Sequence, residues 1–154
     1  MNEKITILIA DDNPEFAETL VEHLSVQKDM EVIGVARDGN EACEKVTSLK
    51  PDVLLLDVIM PYLDGLGVLE KLNAAKIEKM PTCIMLSAVG QTKITQKAIS
   101  LGAEYYVVKP FDIELLMQRI REIKNFKPRG VRNNFAIREP KRTPYINVTS
   151  NKAE

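Results

Sequence analysis

Residues that usually hold metals or disulfides are scarce: the 154-residue chain has one histidine, His23, and two cysteines, Cys43 and Cys83. Without a Cys/His cluster or a paired cysteine spacing, a zinc site or a disulfide framework is excluded, and a reducing cytosol fits best. Long apolar runs are missing as well. The longest, such as Val53 to Leu56 and Cys83 to Leu86, fall far short of the ~20 residues that span a bilayer, and Met1 to Lys4 does not lead into a secretory signal. A soluble, cytoplasmic protein with no membrane partner is therefore expected. Net charge is only -1, but it is unevenly spread: residues 125–154 carry seven Lys/Arg against two Glu, leaving 14 basic and 20 acidic residues in 1–124. The body is acidic and the tail basic.

What the chain does have is 45% hydrophobic and 28% charged side chains, enough for one compact domain plus some extra polypeptide. Short apolar runs rich in β-branched residues alternate with segments whose apolar residues recur every three or four positions, the pattern of β-α units around a parallel sheet. Strands are predicted at Ile5–Ala10, Glu31–Ala36, Val53–Leu56, Thr82–Leu86 and Tyr105–Val108. All read as apolar throughout, so both faces of the sheet are expected to be covered. Between them, Phe16, Leu20 and Leu24 share one helical face, as do Leu66, Leu69 and Leu72, and Ile113, Leu116, Ile120 and Ile123. Helix starts agree: Asn13 can cap with Pro14 at the first position, Asp38 stands three residues before Glu41, and Asp112 precedes the last helix. From about Asn125 the periodicity stops and prolines punctuate a basic stretch, so 1–124 reads as the domain and 125–154 as a basic, proline-containing linker or tail. That tail has neither a recognition helix nor interleaved aromatics, so DNA binding by it is not expected.

In an open parallel sheet, ligands bind beyond the carboxyl ends of the strands. There the first run leads into Asp11 and Asp12, the third into Asp57, the fourth into Ser87 and the fifth into Lys109. Three converging carboxylates raise one another's pKa unless a cation intervenes, and an oxygen-only set favours magnesium. Asp57 follows the central run and is the best nucleophile toward phosphorus; the adjacent Asp11 and Asp12 are suited to share the metal, and Lys109 and Ser87 to stabilise charge. Asp11-Asp12-Asn13 also stands where a nucleotide or flavin binder would carry a glycine-rich phosphate loop, and the acidic pair would repel a phosphate without metal. His23 and the two cysteines are given no role.

Taken together, Asp11-Asp12, Asp57 with Met60-Pro61 and Asp64-Gly65, Ser87-Ala88, and Lys109-Pro110-Phe111 resemble the receiver domain of two-component response regulators, over roughly residues 4–124. Longer stretches, Pro51 to Leu72 and Ile84 to Gln91, are similar to the sporulation master regulators of that family. The resemblance implies a flavodoxin-like α/β fold, (βα)5 and doubly wound, with a five-stranded parallel sheet of order 2-1-3-4-5. It implies that Asp11, Asp12, Asp57 and the backbone carbonyl of Ile59 bind Mg2+, with Mn2+ or Ca2+ as substitutes. Asp57 would take a phosphoryl group from a histidine kinase or a phosphohistidine phosphotransfer protein. Ser87 and Lys109 would then hold the phosphoryl oxygens, Tyr106 would swing inward behind Ser87, and Lys109-Pro110 would be a cis peptide. The implied output is a signalling switch rather than an enzyme, dimerising through the face of helix 4, strand 5 and helix 5. DNA would be reached only through an effector domain that residues 125–154 do not encode.

An aspartyl-phosphate phosphatase of the haloacid dehalogenase kind is the rival enzyme reading, but it needs a second aspartate two residues after the nucleophile, where Ile59 stands. A degenerate receiver is the other rival, and all five site positions are intact. Ile59 and Val89, each two residues past Asp57 and Ser87, offer no polar group to orient an attacking water, so a slowly hydrolysed phosphoryl group is expected.

Overall fold

Alternating strands and helices begin immediately in the computed structural model, which describes residues 3–87, 92–109 and 112–126. The readings of Ala88, Val89, the Lys109-Pro110 peptide, Phe111 and the tail from residue 127 lie outside the described residues. In chain order the elements are β1 (Ile5–Ala10), α1 (Pro14–Ser25), β2 (Met30–Ala36), α2 (Gly39–Leu49), β3 (Val53–Asp57), α3 (Gly65–Ala75), β4 (Thr82–Ser87), α4 (Thr92–Ser100), β5 (Tyr105–Val108) and α5 (Ile113–Phe126). The five strands form one parallel sheet in the order β2-β1-β3-β4-β5. This is the flavodoxin-like arrangement expected. α5 runs two residues past the point where the apolar period ends.

Because strand side chains alternate, each central strand feeds two separate cores. Ile5, Ile7 and Ile9 of β1, Val53 and Leu55 of β3, and Ile84 and Leu86 of β4 pack with Leu20 and Leu24 of α1 and Leu116 and Ile120 of α5. On the other face Leu8, Leu54, Leu56, Cys83 and Met85 pack with Val46 of α2 and Val68, Leu69 and Leu72 of α3. Each fully buried Leu or Ile contributes about 1.5–3 kcal/mol, so the three central strands dominate the stability of the fold. Helices cover both faces of the sheet, as expected, but the edge strands are less fully buried than the central ones. β2 exposes Glu31 and half-buries Val32 to Val35, and β5 fully buries only Val107. An edge strand has a neighbour on one side only, so the helices overhang it incompletely.

The helix starts behave as the capping chemistry requires. The Asn13 side chain accepts the backbone N–H of Glu15 and of Phe16, and Asp38 accepts that of Glu41. Asp64 caps α3 through Gly67, and Asp112 accepts the N–H of Glu114. At the far end, the Arg121 guanidinium of α5 forks onto Asp29 (2.7 and 3.0 Å) and reaches Gln27 (3.0 Å), tying the last helix to the turn between α1 and β2. Cys43 and Cys83 are free and buried, and His23 is exposed, its ring nitrogen 2.9 Å from the Thr19 carbonyl. None of the three lies in the site described next.

Candidate functional site

β1, β3, β4 and β5 all end at one edge of the sheet, and the four chemistry-bearing groups are delivered there by backbone register. Ala10 pairs with Leu56, which puts Asp11 and Asp12 level with Asp57; Asp57 pairs with Leu86, so Ser87 closes β4 one residue further on. The backbone N–H of Lys109 donates to the Ser87 carbonyl at 2.7 Å, fixing the base of the lysine against β4. Asp57 and Ser87 are the last residues of their strands rather than the first residues beyond them. Their backbones are therefore held by the sheet itself.

Asp11 is fully buried (0% exposed), Asp57 nearly so (9%), and Ser87 is 1% exposed. Asp12 is exposed at the rim. Asp11 accepts the Asn13 backbone N–H at 2.8 Å with one carboxylate oxygen and faces the Lys109 ammonium at 3.3 Å with the other. The same ammonium lies 3.4 Å from Asp57. Burial and the neighbouring Asp11 charge push the Asp57 carboxyl up to about 6, against the pull of Lys109.

One carboxylate oxygen from each of Asp11, Asp12 and Asp57 lies within 4.8 Å of the others. Three carboxylates against one ammonium leave two negative charges uncompensated in a partly buried cluster, the situation a divalent cation relieves. Oxygen-only donors and an exposed third carboxylate suit a hard cation that retains waters. The residues present therefore fit a divalent metal.

The remaining positions are placed as follows. Ile59 lies in the β3–α3 loop and is 57% exposed, and only its carbonyl could provide the metal contact expected of it. Tyr106 is half-buried against the α2–α3–α4 core, and its neighbour Tyr105 against the opposite one. Three further residues shape the site. Asn13 orients Asp11, Phe16 lies beneath Lys109 with Nζ 4.4 Å from its ring centroid, and Gly65 approaches the main chain of β3. A Cβ on Gly65 would meet the Asp57 carbonyl oxygen at 2.6 Å, and the Gly65 N–H donates to Val58 at 2.7 Å. The Asp64-Gly65 pair hinted at the last; the Phe16–Lys109 contact spans 93 positions, and nothing local signals it.

A parallel five-stranded sheet with an acidic trio and a lysine at its carboxyl edge defines a class, and comparison with known proteins names it. The family model for the response regulator receiver domain matches residues 7–121, and this chain belongs to that family. Among solved structures, the response regulator domain of Thermotoga maritima CheB is similar at 32% identity and a TM-score of 0.73, covering 82% of this chain and 100% of that one. A receiver domain from Bermanella marisrubri matches at 31% identity and 0.71, covering 80% and 100%, respectively. The receiver domain of AraT from Geobacillus stearothermophilus matches at 30% and 0.71, covering 82% and 95%. Among the described residues, no helix is long and apolar enough to cross a membrane.

Proposed function

We propose that this chain is a cytoplasmic phosphorylation switch whose Asp57 accepts a phosphoryl group from a phosphohistidine donor, a histidine kinase or a phosphotransfer protein. The observation that carries the reading is the convergence of Asp11, Asp12 and Asp57 at the carboxyl edge of the sheet, with the Lys109 ammonium between Asp11 and Asp57. Among the three carboxylates, Asp57 is the acceptor because it lies within a strand, closing the middle one of the sheet, and is near-buried with Lys109 beside it.

In the transfer, an Asp57 carboxylate oxygen forms a bond to phosphorus as the phosphorus–nitrogen bond to the donor imidazole breaks; the imidazole nitrogen keeps the electron pair and takes a proton. Asp57 must be ionised to attack, which Lys109 promotes. Magnesium held by Asp11, Asp12, Asp57 and the Ile59 carbonyl would neutralise charge on the carboxylates and the phosphoryl oxygens. Lys109 bears on the same oxygens from the other side, and Ser87, closing β4, supplies a hydroxyl to them. Tyr106, two residues before Val108 on β5, follows Ser87 inward, and the α4–β5–α5 face changes its pairing with a second copy. The switch has no turnover beyond slow loss of its own phosphoryl group. On the resemblance of Pro51 to Leu72 and Ile84 to Gln91 to the sporulation regulators, we further propose a sporulation-type transcription regulator that acts on DNA through a separate effector domain.

Incubation with acetyl phosphate and magnesium, read by intact mass, tests the reading. Wild type is expected to gain one phosphoryl group, about 80 Da, and to gain nothing with a chelator present or as Asp57→Asn. Uptake that survives Asp57→Asn would overturn the assignment of the acceptor.

A further inference from the structure

Lys109 reaches the site on a flexible four-carbon stem and is 26% exposed, yet its ammonium must stand in one place to meet phosphoryl oxygens. Its two carboxylate contacts, 3.3 and 3.4 Å, are both longer than the 2.7–2.9 Å typical of a charge-assisted hydrogen bond, so neither carboxylate grips it. The third contact is the Phe16 ring, whose centroid lies 4.4 Å from Nζ, inside the ~6 Å range of cation–π attraction. Phe16 is itself held. Its backbone N–H donates to the Asn13 side chain, and its side chain packs against the α1–α5 core.

We infer that Phe16 is a positioning residue for phosphoryl transfer, holding the Lys109 ammonium between Asp11 and Asp57. A ring suits this task better than a third carboxylate. Its attraction is spread over a face and has no lone-pair direction, so it fixes the ammonium without consuming an N–H in a strong bond, and an incoming phosphoryl oxygen finds a donor available. The ring also covers one side of the ammonium, which strengthens its field at the carboxylates by keeping water away. The β1–α1 turn thereby sets two of the lysine's three partners: Asn13 orients Asp11 and caps the helix whose first turn carries Phe16. This role rests on Asp57 being the phosphoacceptor.

The test compares wild type, Phe16→Leu, Phe16→Tyr, Lys109→Gln and the Phe16→Leu/Lys109→Gln pair, all checked for folding by circular dichroism. Initial rates of magnesium-dependent phosphorylation are followed by intact mass over a range of acetyl phosphate concentrations. Phe16→Leu keeps an apolar side chain but loses the ring, and is expected to be about three- to tenfold slower at saturating acetyl phosphate. Phe16→Tyr restores the ring and should return the rate to within about twofold of wild type. In the Lys109→Gln background the leucine change should alter the residual rate by less than about 1.5-fold, because its effect passes through the lysine. Equal rates for wild type and Phe16→Leu would overturn the inference while leaving Asp57 as acceptor. Equal slowing with and without Lys109 would overturn it too, showing the ring to be structural only. A wild type that takes up no phosphoryl group would overturn the acceptor reading and this role with it.

Discussion

Thr6 and Asp52 bind each other reciprocally: the Thr6 backbone N–H donates to the Asp52 carboxylate at 2.9 Å, and the Asp52 backbone N–H donates to the Thr6 hydroxyl at 2.9 Å. They stand at the opening ends of β1 and β3, opposite the site, and lock the register that carries Ile7 against Val53 and, three residues later, Ala10 against Leu56. A slip of one residue would exchange the two core faces of β1, so the pair helps to set Asp11 and Asp12 beside Asp57. Asp52→Ala is expected to cost about 1–2 kcal/mol in urea unfolding, because it leaves the Thr6 N–H without its acceptor. Burial pushes the Asp52 carboxyl up, but Lys79 and the Thr6 N–H outweigh it and hold the pKa below its ordinary value. A depressed carboxylate stabilises above its unfolded pKa, ~3.9, and that contribution is lost as pH falls through the folded value; the Ala variant and wild type should converge in strong acid.

Asp57 behaves in the opposite sense. Its folded pKa, about 6, exceeds that of the unfolded chain, so its contribution is fully present below ~4 and is lost as pH rises through 6. In chelator at pH 7.5, Asp57→Asn should therefore be more stable than wild type by about 1–3 kcal/mol, with the gap closing near pH 4. Magnesium should stabilise wild type more than the variant. Thermal unfolding across pH, with and without the ion, measures all of this, and a gap independent of pH would contradict it.

Gly65 leaves no room for a side chain. In Gly65→Ala the added methyl meets the Asp57 carbonyl oxygen and crowds the Met85 methyl, so either β3 or the start of α3 must shift. Overpacking of this kind costs about 1–3 kcal/mol. Because the displaced backbone carries the acceptor, phosphorylation by acetyl phosphate should slow in the variant even at temperatures where it is fully folded.

Ile59 projects into solvent two residues beyond Asp57 and has no group to orient a water. The phosphoryl group of the isolated chain should persist for minutes or longer, measured as loss of mass after removal of acetyl phosphate. Ile59→Asn supplies an amide and should shorten that lifetime several-fold. A wild-type lifetime of seconds would contradict the expectation.

The strand ends could be read from the chain because apolar runs stop sharply at Asp11, Asp57, Ser87 and Lys109, and a parallel sheet brings such stops to one edge. Helix starts were equally plain, since Asn13 and Asp38 are local caps. Helix ends were not: α2 and α3 close on Lys50 and Lys76 in the left-handed conformation, where glycine would have signalled a stop. Edge exposure of β2, the register shift of β1 against β2 after Ile7, and the Phe16–Lys109 stack depend on which segments meet across the fold. No window of sequence contains that information. The three acidic residues were legible as a group, but the difference between wholly buried Asp11 and Asp12 at the rim arises only in the folded chain.

The fork of Arg121 onto Asp29 has a mechanical meaning. α5 starts at the edge of the sheet that bears the carboxylates and runs back to the opposite edge, where its closing turns are pinned to the α1–β2 connection. A pull applied where the chain leaves Phe126 runs first into that pin, roughly the length of a strand away from Asp57. The helix is thus braced at the end of the molecule far from the three carboxylates.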